Sequence, residues 1–178
     1  RKEATHQIIP IAERSGAPVE IIVTPQWFIK TVEYKQELLE LGRTVKWTPA
    51  SMLKRYEQWV ENISWDWCVS RQRFFGVPVP VWYSKKPGEE GKIIMPTIDQ
   101  LPIDPTKDVP EGYELHEIEP ETDVLDTWAT SSLSPFLSTY NNDDETLDLT
   151  NNHPFSPWSM RPQAHEIIRT WAFYTIVQ

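Results

Sequence analysis

The sequence has only one cysteine among its 178 residues, Cys68. A single thiol cannot form an internal disulfide, and it cannot supply the paired cysteines of a common zinc site. A chain without structural disulfides fits a reducing compartment, so we expect a cytoplasmic protein. Cys68 itself lies between tryptophans, a setting typical of a buried packing cysteine and not of a nucleophile.

Long apolar runs and excess positive charge are also missing. No stretch approaches the roughly 18 apolar residues of a membrane-spanning helix, so we expect no membrane partner. The chain has 17 Lys and Arg against 26 Asp and Glu, a net charge of −9. Because a nucleic-acid backbone is bound by clustered basic side chains, this balance argues against a stand-alone nucleic-acid-binding domain, although it is compatible with one local basic edge.

Glycine is scarce, with six residues against sixteen prolines and nine tryptophans. The glycine-rich phosphate loops are absent, and so are the G-x-S-x-G and H-E-x-x-H signatures of common hydrolases. The histidines are scattered in the sequence, so their spacing predicts no shared metal site. They are His6, His116, His153 and His165.

The first half predicts two helices and short strands. Residues 19–24 are rich in β-branched side chains and predict a strand, as do residues 44–47. A helix is expected over residues 31–42, closed by Gly42. A second helix is expected over residues 48–63, with Thr48 as its N-cap. Its core face is predicted to comprise Met52, Tyr56, Trp59 and Ile63.

The second half predicts less regular structure. Residues 65–83 read as a buried strand followed by an extended apolar segment, and Pro78 and Pro80 place part of that segment at a sheet edge or outside the sheet. A final helix is expected to begin near Pro162. One face of it is predicted to carry Gln163, Glu166, Ile167, Thr170, Trp171 and Tyr174.

These patterns together predict a mixed α/β fold in three parts. Residues 1–83 form the first, residues 84–121 form a proline-rich connecting insertion, and residues 122–178 form the third. The last residues lie inside an apolar helical pattern without a stop signal, so we expect the chain to be a piece of a longer protein.

Four blocks carry a family resemblance. They are "GAPVE…TPQWFIK" (residues 16–30), "WVENISWDWCVSRQRFFGVPVPVWY" (59–83), "ETDVLDTWATSSLSP" (121–135) and "RPQAHEIIRTWAFY" (161–174). In kind and order they resemble the class I aminoacyl-tRNA synthetases of the valine, isoleucine and leucine group. The resemblance implies the second half of a Rossmann-like catalytic domain, entered after the editing insertion.

The resemblance also implies an amino-acid pocket. "DTW" followed by small residues, together with "HEIIRTW", resembles the valine branch of the family more than the isoleucine branch. By that resemblance an apolar wall is expected from Trp128, Ile167 and Trp171. Glu166 matches an acidic position near the aminoacyl-adenylate, and Gln163 and His165 lie beside it.

Substrates and partners follow from the same resemblance. The full-length protein is expected to use ATP with Mg²⁺, valine and tRNA(Val). This segment lacks the family's H-I-G-H and K-M-S-K-S motifs, so alone it is expected to be inactive and to hold no cofactor. A loop, residues 84–92, stands where relatives carry paired cysteines, so no zinc is expected. Arg71 and Arg73 are interpreted first as scaffold and second as contacts to the tRNA acceptor end.

Two alternatives stay open at this level. The chain could belong to the isoleucine branch, or it could be a non-catalytic interaction module whose working surface is the acidic, proline-rich segment 84–121. The sequence on either side of this segment would distinguish a synthetase from the interaction module, since a synthetase carries one of the two missing ATP motifs before the segment and the other after it.

Overall fold

The computed structural model describes residues 8–137 and 158–178. They form short helices and small sheets, which confirms the predicted mixed α/β composition. The helices are α1 (Lys35–Thr44), α2 (Met52–Asn62), α3 (Thr127–Ser132), α4 (Ser134–Leu137) and α5 (Phe173–Val177). Within this described part, no helix is both long and apolar enough to cross a bilayer.

Helices α1 and α2 build the larger core. Leu38 and Leu39 of α1 face Tyr56 and Val60 of α2, and the last two are fully buried. The predicted face of α2 is confirmed, since Met52, Trp59 and Ile63 pack on the same cluster. The Tyr56 hydroxyl donates to the Leu38 carbonyl oxygen at 2.8 Å, and burial raises the pKa of that phenol.

Gly42 does not close α1, contrary to the sequence prediction. It is buried inside the helix, which continues to Thr44. A Cβ at this position would overlap the Tyr56 ring. The glycine is therefore required by the close approach of α2 and not by the end of the helix.

The strands are short, and every described pair is antiparallel. Strand β1 (Phe28–Ile29) pairs with β2 (Trp67–Cys68). Strand β3 (Ser70–Arg71) pairs with β7 (Val124–Leu125), with Ser70 opposite Leu125. The predicted buried strand in "DWCVSRQR" is thus present as two successive pieces.

A three-stranded sheet organises the middle of the chain. Strand β4 (Trp82–Ser84) lies between β5 (Ile93–Ile94) and β6 (Ile118–Pro120). Trp82 is fully buried, and its indole N–H donates to the carbonyl oxygens of Pro105 and Asp108. The two prolines of "VPVPV" precede β4, as expected of residues that cannot donate to a ladder. The three-part division of the chain stays a prediction.

Three further local predictions in the first half are wrong. Residues 19–24 form no strand, and Ile21 and Val23 are 98% and 102% exposed. A β-rich sequence becomes a strand only where another strand pairs with it, and none does so here. Residues 44–47 are likewise not a strand. Helix α2 begins at Met52, not near Thr48, because the preceding bond from Met52 N–H to the Pro49 carbonyl closes a tighter turn.

The C-terminal helical run also differs from the prediction. It begins at residue 165, after an extended Ala164, and passes through a 3-10 turn (His165–Ile167) and a π turn (Ile168–Ala172) into α5. Gln163 therefore lies before the helix and not on its face. Because the π turn breaks the 3.6-residue period, the buried positions are Ile168, Ala172 and Phe173.

Candidate functional site

Helix α3 is built on a buried carboxylate. Asp126 precedes the helix and accepts a hydrogen bond from the Trp128 N–H, as N-cap residues do. The small residues after Trp128 let α3 lie close to its neighbours, and Ala129 is 5% exposed. Trp128 itself is half-buried and packs on a cluster formed by Trp67, Val69 and Ala129.

The C-terminal helical run packs directly against α3. The Trp171 indole N–H donates to the Ser131 carbonyl oxygen at 2.8 Å. The Gln178 side-chain amide donates to the Ala129 carbonyl oxygen at 3.1 Å. Two of the predicted apolar residues, Trp128 and Trp171, are therefore on elements bonded to one another. Ile167 is half-buried one turn before Trp171.

A second aromatic contact supports the same junction. The rings of Trp67 and Tyr174 stack with centroids 3.8 Å apart and planes 18° apart. The Trp67 indole N–H donates to Asp126 Oδ2 at 3.1 Å. Burial raises the pKa of Tyr174, so the phenol is neutral near pH 7. The strand that carries Trp67 thus connects α3 with the C-terminal helical run.

The predicted polar residues lie at the start of that run. Glu166 and His165 are each 64% exposed at the side chain, and Glu166 Oε2 lies 3.6 Å from His165 Nδ1. Gln163 is different, because its Oε1 is buried without a hydrogen-bond partner among the described residues. Glu166 and His165 are thus accessible to solvent, whereas the Gln163 acceptor is shielded and unpaired.

Arg161 is a residue that the sequence reasoning missed. Its guanidinium lies over the Trp171 ring, with its carbon 3.9 Å from the centroid. Desolvation lowers the pKa of Arg161 to about 10. Its Nε and Nη2 are buried and unpaired within the described chain, and the same is true of Ser132 Oγ next to Ser131. In the sequence, the only feature that could have predicted this contact was a basic residue directly before Pro162, and such a residue predicts little by itself.

Arg71 and Arg73 have different surroundings. Arg71 points inward and donates to Asp126 Oδ2 at 2.8 Å and to the carbonyl oxygens of Cys68 and Ser70. These bonds favour its interpretation as scaffold. Arg73 is exposed on a loop beside Phe74 and Phe75, which are 92% and 84% exposed. A tRNA contact for either arginine stays a prediction.

No metal centre is indicated in residues 8–137 and 158–178, where no three His, Cys, Asp or Glu side chains gather to hold an ion. Cys68 is partly buried, with its Sγ 3.5 Å from Gln26 Oε1. His116 pairs with Glu114, while His6 and His153 lie outside the described residues.

A cavity of about 160 Å³ opens beside the Trp67–Tyr174 stack. Trp59, Asp66 and Phe173 are among the other residues that line it. None of the six predicted substrate-binding residues lines this cavity, so it is separate from the predicted amino-acid pocket.

Comparison with known proteins identifies the family. The family model for class I tRNA synthetases (I, L, M and V) matches residues 19–178. The chain is 56% identical to the valine–tRNA ligases of Rickettsia felis and Rickettsia rickettsii, in alignments that cover all of this chain. The ligase of Rickettsia typhi is 54% identical over the same span. The chain spans only 21% of the Rickettsia felis protein and 22% of the other two. The chain therefore belongs to the class I tRNA synthetases of the isoleucine, leucine, methionine and valine group.

Proposed function

We propose that the protein containing this chain activates valine with ATP and joins it to tRNA(Val). The observation that carries the proposal is the 56% identity, across the whole chain, to proteins named valine–tRNA ligase. This level of similarity favours the valine branch over the isoleucine branch and over a non-catalytic module. The chain covers about a fifth of those relatives, so the proposal concerns the longer protein.

The proposed role of this segment is to form the apolar side of the valine pocket. Trp128 and Trp171 are large, rigid side chains on two elements that are hydrogen-bonded together. Ile167 adds a β-branched surface one turn before Trp171. A rigid slot of this kind rejects one extra methylene by about 1–3 kcal/mol, but it rejects isosteric threonine poorly.

Unpaired buried polar atoms, two of them on the arginine that covers the Trp171 ring, support a ligand at this place. Arg161, Ser132 and Gln163 each bury a polar atom that no described residue satisfies. Buried polar groups are usually paired, so buried polar atoms without a partner are typical of a binding site. Glu166, which is exposed, is proposed to accept hydrogen bonds from the valine ammonium or the adenylate ribose, with Gln163 and His165 beside it.

The proposed reaction has two steps. A carboxylate oxygen of valine attacks the α-phosphorus of ATP, which forms valyl-adenylate and releases pyrophosphate. A terminal ribose hydroxyl of the tRNA then attacks the acyl carbon, and AMP leaves. ATP with Mg²⁺ is expected to bind through the family's signature motifs, which this segment lacks. The segment therefore contributes orientation of the amino acid, which by itself accelerates such reactions strongly.

Valine-dependent exchange of pyrophosphate into ATP by the full-length protein tests the proposal. We expect the highest kcat/KM for valine, a lower value for threonine and the lowest for isoleucine. Preference for isoleucine would move the protein to the isoleucine branch, and the absence of exchange with any amino acid would favour the interaction module. Residues 1–178 alone serve as the control and are expected to show no exchange.

A further inference from the structure

Asp126 lies where α3 meets the strands β2 and β3. Its Oδ1 accepts from the Trp128 N–H at 3.2 Å, while its Oδ2 accepts from the Trp67 indole at 3.1 Å and from Arg71 Nη2 at 2.8 Å. Its own N–H donates to the Val69 carbonyl oxygen at 2.7 Å. The residue is 4% exposed. One carboxylate therefore bonds to α3, β2 and β3 at the same time.

The charge of Asp126 is balanced from within the fold. A buried carboxylate is costly unless it is paired and hydrogen-bonded. Arg71 supplies the positive charge, and its other terminal nitrogen donates to the Cys68 and Ser70 carbonyl oxygens at 2.7 and 2.8 Å. Arg71 donates to three acceptors, so its guanidinium is held in place. It therefore orients the Asp126 carboxylate and also balances its negative charge.

The hydrogen bond from Trp67 also links Asp126 to the C-terminal helical run, which carries Trp171. Trp67 stacks face to face on Tyr174, which lies one turn beyond Trp171 on the C-terminal helical run. The same run is bonded to α3 through Trp171 and Ser131. A displacement of Asp126 would therefore shift the Trp128 wall and the support of the Trp171 wall together.

We propose that Asp126, held by Arg71, is a positioning residue that sets the spacing between the Trp128 and Trp171 walls of the amino-acid pocket. The inference rests on the proposed function, since it assigns a consequence for valine recognition. Because Asp126 is buried, it is assigned no contact with the substrate. It acts by fixing side chains that are assigned such contact, and small displacements of such side chains are costly in substrate selection.

Glu121 provides a matched control within the same chain. Its carboxylate also accepts several hydrogen bonds. Glu121 Oε2 accepts from the Trp27 indole at 2.9 Å and from the Tyr83 hydroxyl at 2.6 Å. Its Oε1 accepts from the N–H groups of Thr122 and Asp123. These bonds connect Trp27, which precedes β1, with Tyr83 of β4 and with the two residues after Glu121. Trp27 packs on the Trp67, Val69 and Ala129 cluster, but the Glu121 carboxylate itself makes none of these bonds to α3 or to the C-terminal helical run.

The experiment compares Asp126→Asn with Glu121→Gln in the full-length protein. Each change keeps the shape of the side chain and removes its charge. Pyrophosphate exchange gives kcat and KM for valine, KM for ATP and the valine-to-isoleucine ratio of kcat/KM. For Asp126→Asn we expect the KM for valine to rise about tenfold and the valine-to-isoleucine ratio to fall severalfold, with the KM for ATP unchanged. Glu121→Gln is expected to change none of these more than about twofold.

Failure of the inference is distinguishable from failure of the proposed function. If the wild-type protein does not activate valine, the proposed function fails and the inference falls with it. If the wild type activates valine but both variants lose only kcat, to a similar extent, Asp126 is structural and the inference is overturned.

A second variant covers the case in which Asp126→Asn does not fold. Trp67→Phe keeps an aromatic ring next to Tyr174 and removes the N–H that donates to Asp126, together with the second ring of the indole. A smaller rise in the KM for valine, about threefold, is expected, with the KM for ATP again unchanged. An unchanged valine KM and unchanged selectivity in a folded Trp67→Phe protein would overturn the inference.

Discussion

Gly42→Ala is the substitution for which local and tertiary effects have opposite signs. In an isolated helix, alanine is more favourable than glycine by about 1 kcal/mol. Gly42 lies inside α1, so the sequence alone predicts stabilisation. In the fold, the new methyl carbon would lie closest to Tyr56 Cε1, 2.7 Å from Cδ1 and 2.9 Å from Cζ. These separations are far shorter than van der Waals contact.

The Tyr56 ring cannot move away easily. It is fully buried, its hydroxyl donates to the Leu38 carbonyl oxygen at 2.8 Å, and it packs on Trp47 with centroids 5.5 Å apart. Overpacking a core costs about 1–3 kcal/mol. A shift that breaks the Tyr56 hydrogen bond would add about 1–3 kcal/mol for the unpaired buried groups. After the helix gain of about 1 kcal/mol is subtracted, we expect Gly42→Ala to destabilise α1 and α2 by about 2 kcal/mol.

Hydrogen–deuterium exchange of the full-length protein measures this change locally. A loss of about 2 kcal/mol corresponds to about 30-fold faster exchange of the α1 and α2 amides. Leu41→Ala is the control on the same helix, since Leu41 is 51% exposed, and a small effect is expected there. Combining Gly42→Ala with Tyr56→Leu should reduce the cost of the alanine, because the shorter side chain vacates the space. Slower exchange in Gly42→Ala would refute the reasoning.

Two further predictions concern the loop before α1 and the proposed pocket wall. The Val32 and Thr31 N–H groups donate to Asp66 Oδ1 and lower the pKa of that carboxyl. Because the folded-state pKa is the lower one, the stabilisation is present above the unfolded value of about 4 and is lost as the pH falls through the folded value. Amide protection at Thr31 and Val32 should therefore fall below pH ~4 towards that of Asp66→Asn, and undiminished protection in acid would contradict this. Trp171→Phe removes the bond to Ser131 and enlarges the slot, so isoleucine activation relative to valine should rise about tenfold in pyrophosphate exchange; unaltered selectivity would remove Trp171 from the pocket wall.

Local periodicity predicted the helices better than the strands. The apolar face of α2 was correct because a helix satisfies its backbone within its own sequence, and the pattern then shows which side packs. The strand expected at residues 19–24 failed because strand formation depends on a partner that local sequence does not reveal. The C-terminal helical run began later than predicted, and its π turn displaced the face that a 3.6-residue period defines.

The residues of the proposed pocket illustrate a similar division. Resemblance to a family selected Trp128, Ile167 and Trp171, and the structure joins the elements that carry Trp128 and Trp171 through one hydrogen bond. The aspartate before α3 had a recognisable signal, since Asp is a preferred N-cap. Its ion pair with Arg71 had none, because the two residues are 55 positions apart. Arg161 was overlooked for the same reason, as its contact with Trp171 exists only after the chain has folded.

The sequence by itself determined the mixed α/β composition, the family and the side chains that are candidates for binding, because these depend on residue types and their order. Only the tertiary structure decided why Gly42 is a glycine, which partner neutralises Asp126, and how Trp67 links two helices. Those features arise from groups brought within a few ångströms by folding, where a missing Cβ leaves room for a ring and a buried charge requires a counterion.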